Sequence, residues 1–182
     1  DTEIKQLEVI DAVNEFHPVE LVATFMGAHA IPKEFKSDPD AYVELVIREM
    51  IPAVKDQAIA EFIDVFCEEG VFTPEQSRKI MEAGKLAGLT PKIHADEVVD
   101  TGGAAIAAQV RSISAEHLLA ANPENLMAMA SAGTIANLLP GTAYSLRKPY
   151  ADARRMIDLG VPVALATDCN PGSCFTESMP FI

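Results

Sequence analysis

Six short apolar runs alternate with helical stretches along this chain, and that alternation restricts the fold more than any other feature. The runs cover residues 21–26, 62–67, a segment closing at His94, and residues 110–114, 133–139 and 161–166. Helix signals fill the gaps. A first amphipathic pattern (Ile4, Leu7, Ile10, Val13, Phe16) runs to about Phe16 and breaks at His17-Pro18, because the residue before proline is pushed out of the α region. Ser37-Asp38-Pro39 reads as a cap and first turn. Thr73-Pro74-Glu75-Gln76 combines an N-cap, a proline at the first helical position and the glutamine of a capping box. A short alanine-rich helix is expected over 103–109, Asn122-Pro123-Glu124 opens another, and Pro149-Tyr150 starts one through Ile157.

Strands alternating with helices every roughly 25–35 residues form repeated β/α units and a parallel sheet. Right-handed, short connections leave an open doubly wound sheet or part of a (β/α)₈ barrel. No glycine-rich phosphate fingerprint follows the early runs. Polar residues close nearly every run, which favours a barrel, whose catalytic face gathers one side chain from each loop. The expected fold is α/β, an incomplete (β/α)₈ TIM barrel of about six parallel strands with helices, with residues 1–182 as one partial domain. The chain opens inside a helical pattern and stops shortly after a glycine-containing loop, so a fragment of a longer protein is expected.

Composition bounds the partners. The 182 residues, 49% of them hydrophobic, suffice for one sizeable core. A net charge of −13 argues against nucleic acid and anionic membrane, both of which demand basic patches. Three cysteines without a CxxC suggest a reducing compartment, and no stretch approaches the ~20 apolar residues of a membrane span. The N-terminus carries no signal-peptide pattern, so the expectation is a soluble, cytoplasmic chain acting on a small molecule.

The chemistry-bearing residues cluster at the run ends. Three of the four histidines, His29, His94 and His117, close predicted strands, and Asp168 closes another. Nitrogen and oxygen donors of this kind suit zinc or another borderline first-row divalent metal, which lowers the pKa of a bound water to about 7. Asp168 could hold a metal through one oxygen and take a proton through the other, and Glu97, just past His94, could exchange a proton with a substrate nitrogen. Glu97 could equally be an N-terminal helix charge. Asn170-Pro171-Gly172-Ser173 is a turn by composition, and its backbone N–H groups could cradle a carboxylate. Asp64, inside the second run, needs a partner if buried, and Asp96 has no assignable role.

Five motifs together strongly resemble the imidazolonepropionase family of the metal-dependent amidohydrolase superfamily. They are residues 24–30 (TFMGAHA), 64–68 (DVFCE), 92–97 (KIHADE), 114–117 (SAEH) and 164–173 (ALATDCNPGS). The resemblance implies a hydrolase of histidine degradation, which opens the ring of 4-imidazolone-5-propanoate with water to give N-formimidoyl-L-glutamate. It implies His94 as a metal ligand and Asp168 as a ligand that also shuttles a proton. Glu97 would contact and protonate the ring, His117 would polarise the attacked carbonyl, and His29 would contact substrate. Asn170, Gly172 and Ser173 would hold the propionate end, and the metal would be zinc or iron.

The family pattern also carries a His-x-His pair of ligands on its first strand, and no His-x-His occurs in these residues. The resemblance therefore places the first two strands, the family's substrate-binding arginine and tyrosine, the last helix and a small β-sandwich outside this chain. Two ligands instead of four predict weak metal binding and little or no activity for the chain alone. Open sheet edges allow a homo-oligomer. Two rival readings stand beside this one: a deaminase or other amidohydrolase acting on cyclic amidines or amides, and a non-catalytic, metal-free barrel fragment.

Overall fold

The computed structural model describes residues 2–182. Its six strands follow chain order in one sheet, β1-β2-β3-β4-β5-β6. A doubly wound sheet reverses its strand order at a switch point. No reversal occurs here, so the strands wind in the single direction of a (β/α) barrel. The chain divides into two compact units at residues 92 and 93, within β3 (Thr90–Ala95).

The first unit starts with α1 (Thr2–Asn14) and β1 (Thr24–Ala28). Next come α2 (Pro39–Leu45), a π-helical turn over Val46–Met50, and α3 (Ile51–Gln57). β2 (Phe62–Cys67), α4 (Pro74–Ala87) and the start of β3 complete it. β1 pairs parallel to β2 with Thr24 opposite Phe62 and Phe25 opposite Ile63, and the register slips before Ala28. Phe25, Ile63, Val65, Ile80 and Met81 are fully buried. The capping box forms as the sequence predicts: Thr73 Oγ1 accepts from Gln76 N–H, and the Gln76 side chain accepts from Thr73 N–H. Pro52 sits in the first turn of α3, directly after the π-helical turn. It lacks the N–H that an α-helix requires, and the widened π turn just before it accommodates the ring.

The second unit holds the end of β3, α5 (Gly103–Val110), β4 (Ser114–His117), α6 (Pro123–Ala132) and β5 (Ile135–Leu138). It continues through α7 (Pro140–Ser145) and α8 (Ala153–Asp158) to β6 (Val163–Leu165). β4, β5 and β6 pair in parallel, Ala115 opposite Ala136 and Ala136 opposite Val163. Small residues (Ala104, Ala107, Ala115, Ala136) and Leu126, Met129 and Met156 form its buried interior.

Three boundaries differ from the sequence reading. Val110 closes α5, so β4 starts at Ser114, after a left-handed turn at Arg111. Pro140-Gly141 ends β5 but also begins α7, with proline where helices favour it. Residues 149–151 lie outside any helix, and α8 starts after Asp152, whose side chain accepts from Arg155 N–H. Among the described residues, no helix is long and apolar enough to cross a membrane.

Candidate functional site

In the first unit, β1 delivers His29 and β2 delivers Asp64. His29 Nε2 lies 3.2 Å from Asp64 Oδ1, whose side chain is 2% exposed against 23% for the histidine. The buried aspartate therefore has the partner that its burial requires. The His29 ring also stacks on Phe66 at 6.1 Å between centroids. Behind it, the buried Tyr42 hydroxyl donates to the Gly27 carbonyl at 2.7 Å, pinning the exit of β1. Burial first, then Glu3 and Glu34, raises the Tyr42 pKa, so the phenol stays protonated and remains a donor.

In the second unit, three of the candidate residues meet where β3 and β4 end. The rings of His94 and His117 lie 5.2 Å apart between centroids, tilted by 56°. His117 Nε2 stands 3.7 Å from Glu97 Oε2, with His117 almost fully buried and Glu97 nearly so. A wide apolar cavity of about 480 Å³ borders His117, walled by Leu138, Leu139, Pro140, Tyr144 and Tyr150 among others.

The backbone at these exits is unusual. Asp96, His117, Leu118 and Asp168 all adopt positive φ, at 51°, 73°, 58° and 52°. Such left-handed turns are tolerated by aspartate and histidine and cost more for leucine, about 1–3 kcal/mol in strained cases. Leu118 N–H donates to the Ala95 carbonyl and Ala120 N–H to the Asp96 carbonyl, which locks the β4 turn against the end of β3.

Asp96 is the residue that sequence reasoning left without a role. It is fully buried. Oδ1 accepts from Thr101 N–H at 3.0 Å, Thr101 Oγ1 at 3.1 Å and Gly103 N–H at 3.0 Å, while Oδ2 accepts from Ala104 N–H at 3.0 Å. The carboxylate thus caps α5 and closes the loop that carries Glu97, in the site that the helix dipole favours for negative charge. Gly103 is required there, since a Cβ would sit 2.8 Å from Ala95 Cβ and 3.2 Å from its Cα. The sequence signal was present as an aspartate followed at five to seven positions by Thr-Gly-Gly.

Asp168, after β6, is gripped from two sides. Thr142 Oγ1 donates to its Oδ2 at 2.5 Å, and Asn170 Nδ2 donates to its carbonyl at 2.7 Å and its Oδ1 at 3.2 Å. Asn170 also organises its own loop, because its Oδ1 accepts from Gly172 N–H and Ser173 N–H, both at 2.8 Å. A carboxylate reaching those two N–H groups would share them with Asn170. The imidazole of His94 and the carboxylate of Asp168 are nitrogen and oxygen donors of the kind that zinc or ferrous iron takes. The three cysteines are free thiols, Cys67 and Cys174 buried and Cys169 exposed.

Solved structures share this architecture. An amidohydrolase from a Sargasso Sea environmental sample superposes with a TM-score of 0.53 at 17% identity, over 78% of this chain and 35% of that one. A guanine deaminase from C. acetobutylicum with guanine bound gives 0.65 at 12% identity, over 89% and 43%. An adenosine deaminase from Xanthomonas campestris with bound zinc gives 0.60 at 14%, over 90% and 40%. The fold is that of the amidohydrolase barrels.

No protein-family model matches the chain. Curated relatives are more particular. The chain is 61% identical over 180 residues to the imidazolonepropionase of Geobacillus kaustophilus, covering 99% of this chain and 42% of the relative. It is 60% identical over 182 residues to that of Shouchella clausii, covering 100% and 41%. From end to end, this is a stretch of imidazolonepropionase-like sequence, spanning about two fifths of the length of the relatives it matches.

Proposed function

We propose that the chain is the central-to-C-terminal barrel portion of an imidazolonepropionase, a hydrolase that opens 4-imidazolone-5-propanoate to N-formimidoyl-L-glutamate. The observation that carries this reading is 61% identity sustained over 180 residues, with every candidate site residue inside the matched length. In this reading the remaining barrel strands and the small β-sandwich belong to the rest of the protein, and the protein is cytoplasmic, binding neither nucleic acid nor membrane. The two open edges of the partial sheet leave a homo-oligomer as a further proposal.

Each residue then has a task. His94 and Asp168 would hold one divalent metal, zinc or iron. A bound divalent metal supplies a water acidic enough to attack near neutral pH. Asp168 would accept a proton from the attacking water. His117 donates a hydrogen bond to the ring carbonyl and so stabilises the charge developing on its oxygen. Glu97, 3.7 Å from His117 Nε2, is near enough to serve the adjacent ring nitrogen and delivers the proton that lets it depart. The fixed loop around Asp96 keeps Glu97 in that place. His29 contacts substrate, its ring oriented by Asp64, and Asn170, Gly172 and Ser173 receive the propionate.

Elemental analysis of the complete protein tests the metal assignment. About one equivalent of zinc or iron is expected per chain, falling several-fold in His94→Ala and Asp168→Ala. A complete protein holding less than about a tenth of an equivalent after mild purification would overturn it.

A further inference from the structure

α7 was not anticipated from the sequence, and its one buried hydroxyl lands on Asp168. Thr142 is 1% exposed, and its Oγ1 donates to Asp168 Oδ2 at 2.5 Å. That length falls in the range of charge-assisted O–H···O⁻ bonds, roughly twice as strong as neutral ones. A threonine inside a helix ordinarily turns its hydroxyl to solvent or to a carbonyl one turn back. Thr142 does neither. The neighbouring Gly141 explains how α7 comes so close: a Cβ there would meet Cys174 Sγ at 2.9 Å and Thr176 Cγ2 at 3.3 Å. Asp168 itself adopts a left-handed φ of 52°, so its carboxylate is aimed by both backbone and partner.

We infer that Thr142 is the positioning residue for Asp168, engaging Oδ2 so that Oδ1 is the oxygen offered to a metal. This inference rests on the metal-dependent reading above. The asymmetry of the carboxylate supports it. Oδ2 carries the short bond from a buried donor, while among the described residues Oδ1 carries the 3.2 Å contact from Asn170 Nδ2, whose closer bond is to the Asp168 carbonyl. A carboxylate held this way has one torsion, with Oδ1 free for the metal and the second lone pair of Oδ2 left to accept the proton. Removing the hydroxyl frees the torsion and leaves both oxygens competing. Outer hydrogen bonds of this type typically contribute 10–100-fold to metal affinity.

The test uses the complete protein with zinc, in competition with a fluorescent chelator, and pairs two variants. Thr142→Val keeps the shape and removes the hydroxyl, while Thr142→Ser keeps the hydroxyl and removes the methyl. Thr142→Val is expected to bind zinc about 10–100-fold more weakly, with Thr142→Ser within about threefold of wild type. At saturating zinc, Thr142→Val should lower kcat more than it changes KM. A role in packing alone reverses the order, with serine the worse variant. Should valine prevent folding, Thr142→Ala removes the same hydroxyl and carries the same expectation. Valine and alanine variants both within about threefold of wild type, or serine as weak as valine, would overturn the inference while leaving the metal reading intact. Wild-type protein that binds no zinc or iron overturns both.

Discussion

Replacing Asp96 should loosen the loop that carries Glu97, and the size of the effect follows from its four donors. In Asp96→Ala, Gly103 and Ala104 keep buried N–H groups without their carboxylate acceptor. Each such orphan costs about 1–3 kcal/mol, so a loss of about 4 kcal/mol is expected, with Thr101 recovering water at the rim. Asp96→Asn is milder. The amide oxygen retains the three donors on the Oδ1 side, and the new NH₂ opposes Ala104 N–H alone, which costs about 2 kcal/mol. Urea unfolding measures the two losses. Amide exchange then localises them, because about 2 kcal/mol of lost protection corresponds to roughly 30-fold faster exchange at Ala104. If both variants unfold within about 0.5 kcal/mol of wild type, the carboxylate is not the strut described here.

Three further outcomes are expected. Tyr42→Phe removes the donor to the Gly27 carbonyl and should cost about 1–2 kcal/mol in denaturant unfolding at pH 7. Since burial raises the Tyr42 pKa, the wild-type advantage should be full below pH about 10 and vanish as pH rises through the folded-state value; an advantage that grows with alkali would contradict this. Gly103→Ala pushes a Cβ to 2.8 Å from Ala95 Cβ and should destabilise by about 1–3 kcal/mol, read by the same unfolding assay. Thr73→Ala dismantles the capping box of α4 and should cost about 1 kcal/mol, seen as a melting temperature lower by a few degrees.

The strands were legible because each is a short apolar run stopped by polar or glycine residues, a pattern imposed by burial of the sheet and solvation of its exits. The α4 cap was equally legible, as the capping box is written within four consecutive residues. α7 was hidden by its own opening. Pro140-Gly141 has the composition of a turn, and only the packing against Cys174 reveals why glycine sits inside a helix. His29, His94, Glu97, His117 and Asp168 could be picked out as candidates because chemistry at strand ends needs such side chains. Their supports could not. Thr142 acts on a residue 26 positions away, and Asp64 on one 35 positions away, so no local pattern records either pairing. Asp96 lay between these extremes: its donors are five to eight residues downstream, a local signal, but one that is read only when the loop closes.

The most direct test follows the fate of 4-imidazolone-5-propanoate with the complete protein and, in parallel, with residues 1–182 alone. The account predicts steady ring opening to N-formimidoyl-L-glutamate without ammonia by the complete protein, and little or no turnover by the shorter chain. Ammonia as the product, or steady turnover by residues 1–182 alone, would contradict it.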